Sequence, residues 1–395
     1  MKKGILVFFT IFLVSCAEQE IPIIEEVSNV DTIFKEEKVQ LYIKDEYDLG
    51  LFEPERGVYL GAYTGNAELT QNSFESSVGT DMAFKVFQYT AKNSITNKEI
   101  LECIANEQMP YIKYLLNEDN IDSSLYHFIG DLSSMYKIPI FIELYPLNED
   151  ITDPRKYKEN YIKAYQEIKE HVPEAVIVWC VDYDSIEDSL AFYPGDTYLD
   201  WAGLNIYMPK YKEDILVEYT IENNIDVWYK LFQDKKPLMI SGLAISNYSN
   251  IDNAYTIFEA QDKLKYFYED IPNIYPRIKS ILYVDIDMRR YGGDDDYRIT
   301  ADPKILNHVV DLWDNTIFLE DVISTPNQTA AEYKNYNLPA YTYNDVYYIE
   351  EIYLESIIDK HILDKVSVFK DLEGNIYYPL EELVMLDIVE TNIFN

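Results

Sequence analysis

Several carboxylates stand at or beside the ends of short apolar runs, where they could exchange protons with a bound substrate. Glu143 and Glu149 flank the end of one run, and Asp182 ends another. Asp285 and Asp287 lie in a third. A carboxyl group held near a reacting atom provides general acid or base catalysis. Structural roles compete with this reading, since Glu143 could pair inside a core, Glu149 begins a polar loop, and Asp182 could accept backbone hydrogen bonds.

Aromatic side chains accompany these carboxylates. Tyr145, Tyr183 and Tyr207 lie near the ends of apolar runs, and Trp179 leads into the run that Asp182 ends. An aromatic ring offers a flat apolar face, and tyrosine adds a polar tip, so these residues suit stacking against a ring-shaped ligand. For Trp179, and for Trp201 at the start of the next run, core packing is an equal alternative.

A scaffold that gathers strand ends at one edge would bring these groups together. Short β-rich apolar runs alternate with amphipathic stretches, the pattern of βα units around a parallel sheet. The clearest helix is Pro154–Val172, which Asp153 can cap and Pro154 can begin. Eight units predict a (β/α)8 TIM barrel, with an open doubly wound sheet as the alternative. The predicted strands are Gly57–Ala62, Ala83–Tyr89, Pro110–Leu115, Pro139–Leu144, Ala175–Val181, Trp201–Tyr207, Pro237–Leu243 and Ser280–Ile286.

Length and composition indicate a folded, acidic protein. The chain has 395 residues, of which 48% are hydrophobic and 37 are tyrosine, and this content argues against disorder. Its formal charge of −37 would repel a polyanion such as nucleic acid, so a neutral partner fits better.

The first residues are typical of an exported protein. Two lysines precede an apolar run from Gly4 to Val14, which is shorter than the roughly 20 residues of a spanning helix. Leu13-Val14-Ser15-Cys16 resembles a bacterial lipobox, so we expect a signal peptide at 1–15 and a lipid anchor on Cys16. A plain signal peptide or a short membrane anchor is the alternative. The expected location is the bacterial cell envelope, outside the cytoplasm.

Few residues offer metal-ligating spacing. Cys103 and Cys180 are too few and too far apart for a disulfide framework or a metal cluster, and we expect both to be buried packing residues. The four histidines also show no ligand spacing, so no zinc and no cofactor are predicted.

The chain divides into segments of different character. Residues 16–50 are acidic and irregular and are expected to form a tether, while residues 51–315 hold the barrel pattern and residues 316–395 form a small α+β extension. The extension contains a weak internal repeat, in which residues 344–351 resemble residues 374–382. Each copy of the repeat predicts a turn, a short strand and a short helix. It faintly resembles stalk-type repeats called copper amine oxidase N-terminal-like, from which no copper is inferred. A simple packed extension of the barrel is the alternative.

Several segments between about 55 and 315 together resemble glycoside hydrolase family 26, the β-mannanase family. They are Gly57–Tyr63, Val176–Trp179, Tyr193–Tyr207, Lys236–Ser241, and Ile281–Asp285 with Asp296–Ile299. The resemblance implies a retaining (β/α)8 enzyme with one glutamate after strand four and another at the end of strand seven. It also implies that Tyr207 lies beside the second glutamate.

Neither expected glutamate is present. Pro146 stands at the first position, and Gly242 stands at the second. Retention requires two carboxyls about 5–5.5 Å apart, so the chemistry of the family should be absent.

Three functions therefore remain open. The first is a non-catalytic lipoprotein that binds cell-wall or extracellular polysaccharide through Tyr145, Trp179, Asp182, Tyr183 and Tyr207, with an envelope protein as a further possible partner. The second is an active hydrolase that uses relocated carboxylates, with Glu143, Asp182 and Asp285 as candidates. The third is a structural interaction module of the envelope.

Overall fold

A computed structural model describes most of the chain. The described residues are 35–65, 71–90, 97–115, 138–144, 152–219, 221–323, 331–344, 346–355, 360–371 and 374–391, with 131, 135, 146, 357 and 358. The predicted signal peptide, Cys16, Tyr145 and Glu149 lie outside them.

Eight parallel strands form a closed barrel. Each strand pairs with the next, and the eighth returns to the first through Ser280 opposite Tyr59, so the sheet is not open. The predicted (β/α)8 fold is confirmed. The strands are β1 Val58–Tyr63, β2 Phe84–Thr90, β3 Met109–Leu115, β4 Phe141–Leu144, β5 Val176–Asp182, β6 Trp201–Met208, β7 Leu238–Ile245 and β8 Ile278–Val284. A short strand at Phe318–Leu319 pairs with β1 from outside.

The helices between the strands begin where the sequence places capping residues. Asp153 accepts hydrogen bonds from the amides of Arg155 and Lys156 at 3.0 and 3.3 Å, which confirms the predicted helix start. Asp302 caps the last helix in the same way. The helices of six or more residues in this unit are Gln71–Val78, Asn97–Ala105, Pro154–His171, Ile221–Phe232, Ile257–Lys265 and Pro303–Trp313. Shorter helical turns include Ile186–Ser189, Ile271–Ile274 and Met288–Tyr291.

Two apolar layers result from the alternation of side chains along the strands. On β5, Val178 and Cys180 point into the barrel, whereas Trp179 packs outward against the helices. The Trp179 ring is fully buried and lies 5.0 Å from the Tyr193 ring. Trp201 is also buried, in the interior layer, so both tryptophans pack in the core.

The segment 48–56 closes the amino-terminal end of the barrel. The indole of Trp201 donates to the Leu51 carbonyl at 2.8 Å, and the Tyr59 hydroxyl donates to the Phe52 carbonyl at 2.9 Å. Glu53 is fully buried, and its two oxygens accept from Arg277 Nε and a terminal nitrogen at 3.1 and 3.2 Å. A bidentate pair of this kind fixes orientation as well as charge.

A second compact unit contains the described residues of 35–41 and 338–391. Its six-stranded sheet, whose first three pairings are antiparallel, runs in the order Phe369–Lys370, Ile376–Pro379, Val346–Glu350, Ala331–Tyr343, Lys35–Tyr47, Val389–Thr391. The strand Lys35–Tyr47 lies within the segment expected to be an irregular tether. Val39, Leu41 and Ile43 recur at the two-residue spacing of a strand face and are buried, as is Tyr42 between them.

The internal repeat in the sequence has a structural counterpart in this unit. Asn344, with a φ of 50°, precedes the strand Val346–Glu350 and the helix Glu351–Leu354. Gly374, with a φ of 92°, precedes the strand Ile376–Pro379 and the helix Leu380–Met385. Each copy is therefore a turn, a strand and a helix. Across the described residues of both units, no helix has the length and hydrophobicity needed to span a membrane.

Arg277→Met should destabilise the barrel by about 3–5 kcal/mol, because Glu53 would remain buried without its cation. Lys230→Met is the matched control, since Lys230 and Asp226 form an exposed pair whose loss should cost less than about 1 kcal/mol. Urea unfolding measures both. Equal effects of the two substitutions would show that the Glu53–Arg277 pair does not hold this end closed.

Candidate functional site

The carboxyl-terminal ends of the strands form the mouth of the barrel, where the active sites of this fold lie. Side chains alternate along β5, and Val178 and Cys180 point into the barrel. Asp182, two residues further on, therefore also points inward and lies at the mouth. Facing it are Lys113 on β3, Glu143 on β4, Asn205 on β6 and a glycine on β7.

An ion pair lies in the interior just below the mouth. Lys113 Nζ is 3.1 Å from Glu143 Oε2, and the two residues are 7% and 1% exposed. The Tyr111 hydroxyl donates to the same carboxylate oxygen at 3.0 Å. Burial is the largest single influence on the pKa of Lys113 and would lower it, but Glu143, Tyr207 and Cys180 together outweigh burial and the net shift is upward. The shift favours the charged form of Lys113, and Glu143 is its ion-pair partner.

A polar chain continues from Lys113 to β7. Lys113 Nζ donates to Asn205 Oδ1 at 3.1 Å, and the Ser241 hydroxyl donates to the same oxygen at 2.9 Å. Cys180 Sγ lies 3.0 Å from Ser241 Oγ. The pairing of β7 with β6 is irregular here, because Ile240 pairs with Leu204 and the next partner of β6, Asn205, pairs with Gly242. Such bulges re-aim side chains at barrel rims.

Gly242 occupies the place of the expected strand-seven glutamate and faces this polar chain. A Cβ at Gly242 would lie 2.9 Å from Asn205 Oδ1, 3.1 Å from the Tyr207 hydroxyl and 3.4 Å from Lys113 Nζ. Any larger side chain would therefore have to displace the asparagine. Pro146, at the other expected glutamate position, is half-buried two residues beyond β4.

Two tyrosine hydroxyls remain open at the mouth. Tyr207 is 42% exposed, and its hydroxyl points inward, to within 3.1 Å of where a Cβ at Gly242 would lie. Tyr63 is half-buried at the end of β1. Burial of the phenol is the main cause that raises the pKa of each. Among the described residues, neither hydroxyl has a hydrogen-bond partner, so both are available to a ligand.

Asp182 has the most accessible charge of the predicted carboxylates. It is half-buried, and its pKa is raised by burial and by Glu143, although Lys113 and a hydrogen bond from Asn205 oppose this shift. Within the described part of the chain it forms no ion pair.

Asp285 and Asp287 are committed to structural contacts. Asp285 is 1% exposed and accepts from the Thr300 hydroxyl and amide at 2.7 and 3.3 Å. Burial raises the pKa of Asp285 to about 6. Asp287 pairs with Arg289 at 2.6 Å and with Arg298 at 3.3 Å. Neither is placed as a free acid in the mouth.

The predicted binding residues are only partly brought together. Asp182 and Tyr207 share the mouth, but Trp179 and Tyr183 are buried in the outer apolar layer and cannot face a ligand there. Their positions follow from the strand and loop geometry, because Trp179 alternates with the inward Val178 and Cys180. Tyr145 lies outside the described residues.

The sequence analysis missed Lys113 and Asn205. Lys113 could have been found from the sequence, because it is a lysine within the apolar run Met109–Leu115. A charged side chain that points inward from a buried strand requires an oppositely charged or hydrogen-bonding partner. The cysteine prediction is confirmed, because Cys103 and Cys180 are both buried and unpaired. In the part of the chain that the structure describes, no group of three His, Cys, Asp or Glu residues could hold a metal ion.

Comparison with known proteins yields structural similarity only. Neither a protein-family model nor a curated protein matches the sequence. The solved structures it resembles include the family 26 β-mannanase BoMan26A from Bacteroides ovatus, at 12% identity over 67% of this chain and 90% of that one, with a TM-score of 0.45. GH26C from Muricauda sp. MAR_2010_75 gives 11% identity over 69% and 91%, with a TM-score of 0.49. The assignment of the fold rests on the strand pairing described above.

Gly242→Ala should destabilise the barrel by about 1–3 kcal/mol, because the added methyl would overpack the Asn205 amide. In an Asn205→Ala background the same change should cost clearly less, since the closest contact is gone. Urea unfolding of the two single variants and the double variant measures this coupling. Equal costs in both backgrounds would contradict the packing described for Gly242.

Proposed function

We propose that the barrel binds a glycan at its mouth without cleaving it, in a protein anchored by lipid to the bacterial cell envelope. The observation that carries the proposal is Gly242, which stands where the resemblance to family 26 requires a nucleophile and is enclosed by Asn205, Tyr207 and Lys113. The scaffold keeps a polar mouth but has no carboxylate at that position.

The absence of cleavage follows from the state of the remaining acids. A retaining mechanism needs one carboxylate to attack and a second carboxyl to donate a proton. Pro146 and Gly242 can do neither, and Glu143 is held by Lys113 and Tyr111. Asp285 is enclosed by Thr300. Asp182 has a raised pKa and would suit a proton donor, which makes it the one specific argument for a relocated hydrolase.

Binding is supported by the groups that remain open. Sugars present many hydroxyls and an apolar ring face, so they suit a site that combines aromatic rings with hydrogen-bonding tips. Tyr207 supplies an accessible ring and a free hydroxyl, Tyr63 a second hydroxyl, and Asp182 an acceptor. A purely structural module would have no use for this arrangement.

The envelope location is supported by the amino-terminal sequence. The run Gly4–Val14 followed by Ser15-Cys16 has the form of a lipoprotein signal, and lipid chains on Cys16 would tether the barrel at a membrane face. A tethered binding protein would meet extracellular or cell-wall glycans, and an envelope protein is a further possible partner.

Tyr207→Phe should weaken glycan binding roughly 2- to 12-fold, because it removes one hydrogen bond and keeps the ring. A glycan array with purified protein identifies ligands, and calorimetry on the best one measures the change. Tyr198→Phe is the control, since Tyr198 lies just before β6 at the opposite end of the barrel. Equal affinities in both variants would place the glycan elsewhere, and an empty array would favour the structural module.

Cys16→Ser should move the protein from the membrane fraction to the soluble extracytoplasmic fraction and abolish incorporation of a labelled fatty acid. Ser15→Ala is a matched control that retains the thiol. Unchanged membrane association of the Cys16 variant would contradict lipid anchoring.

A further inference from the structure

We propose that the sugar bound at the mouth carries a protonated amino group, as in a glycan of unacetylated hexosamine, and that this amine pairs with Asp182. The inference rests on the proposed glycan binding and specifies the chemical class of the ligand.

The balance of charge at the mouth favours a cation. Lys113 and Glu143 neutralise each other inside the barrel. The two lysines that follow β6 are also neutralised by ion pairs, Lys210 with Asp252 and Lys212 with Asp184. Beyond β8, Arg289 and Arg298 pair with Asp287 and Asp296. Asp285 and Asp295 also lack an ion pair among the described residues, but both are buried and accept hydrogen bonds, Asp285 from Thr300 and Asp295 from the Ser246 hydroxyl and the Lys210 amide. Asp182 is half-buried and forms no ion pair among the described residues, so it is the most accessible of these three carboxylates.

The position of Asp182 makes its charge usable. It lies at the inward-facing end of β5, opposite Asn205 on β6. The side chain is half-buried, so a ligand can reach it while water screens it less than at an open surface. An ammonium group beside it would gain a charge-assisted hydrogen bond.

The neighbours of Asp182 provide contacts for the rest of a sugar. The Tyr207 and Tyr63 hydroxyls are open, as described above. Lys113 is 7% exposed, and the described residues supply acceptors for two of its three protons, at Glu143 and Asn205. The third proton can bind a ligand hydroxyl. Amine and hydroxyl groups on one ring would therefore find complementary partners.

The charge of the whole chain acts in the same direction. A formal charge of −37 attracts a polycation and repels a polyanion over a Debye length of roughly 8–10 Å. A uronic acid polymer would be repelled both by the net negative charge of the chain and by Asp182. A polymer of unacetylated hexosamines would be attracted by both of these negative charges.

The preference should depend on pH in both directions. The groups facing Asp182 are Lys113 from β3, Glu143 from β4, Tyr207 from β6, and Asp184 in the following turn. Acidification acts through protonation of Asp182, whose pKa is raised by burial and by the neighbouring Glu143. Rising pH removes the proton from the ligand amine. Binding of the amino sugar should pass through a maximum between these two limits.

Three tetrasaccharides with one β-1,4-linked backbone test the inference, because they differ only at carbon 2. They are tetraglucosamine with an ammonium group, tetra-N-acetylglucosamine with an amide, and cellotetraose with a hydroxyl. Calorimetry on the full-length protein at slightly acidic pH should show tetraglucosamine binding about tenfold or more tightly than cellotetraose. The preference should shrink as salt is added.

Asp182→Asn should reduce the ratio of the two affinities to about one. Asp214→Asn is the matched control, since Asp214 is an exposed carboxylate on the turn after β6 and its loss changes the total charge equally. A ratio that stays high in the Asp182 variant, or falls equally in the Asp214 variant, overturns the pairing.

The outcomes separate this inference from the proposed function. If a glycan binds in a Tyr207-dependent manner but tetraglucosamine binds no better than cellotetraose, the amino-sugar inference is overturned and glycan binding stands. If neither these tetrasaccharides nor any glycan on the array binds, the proposed function itself is overturned.

Discussion

The ammonium group of Lys113 inside the barrel is the constraint on which the mouth depends. A buried charge needs an opposite charge and further hydrogen bonds, and Glu143 and Asn205 provide them at 3.1 Å each. This requirement makes Glu143 the ion-pair partner of Lys113. It also fixes Asn205 so close to β7 that only glycine fits at position 242 without rearrangement. Gly242 and the buried lysine are thus two aspects of one packing arrangement.

The two ends of the barrel differ in how far their polar groups are paired within the protein. At the amino-terminal end, Glu53 and Arg277 pair while Trp201 and Tyr59 bond to the segment 48–56, so charge and hydrogen bonds are internally satisfied. At the mouth, the hydroxyls of Tyr207 and Tyr63 have no hydrogen-bond partner and Asp182 has no ion-pair partner among the described residues. Active sites of (β/α)8 barrels lie at this end, and polar groups without protein partners there suit the binding of a ligand.

The sequence predicts the scaffold well because its signals are local. All eight strands and the cap Asp153 follow from apolar runs and capping residues a few positions apart. The sequence also contains the signal that Trp179 points out of the barrel, because it alternates along β5 with the inward Cys180. Its position near the end of the strand nevertheless suggested a ligand-binding role. The strand Lys35–Tyr47 was missed because its partner Ala331–Tyr343 lies nearly the whole chain away.

The contacts of the site were beyond reach for the same reason. Lys113 meets Glu143 on the adjacent strand and Asn205 across 92 residues, and no sequence pattern links three positions through a closed barrel. Gly242 was recognised as a missing glutamate, but the crowding that makes it necessary is visible only in three dimensions.

The most direct measurement is prolonged incubation of the purified protein with β-linked oligosaccharides of defined length, followed by mass spectrometry of the products. The absence of a functional acid pair predicts no shortened chains above those of a buffer blank, even with a glycan that binds. Shortened chains that accumulate with protein concentration, and that disappear in an Asp182→Asn variant prepared identically, would contradict a non-cleaving barrel.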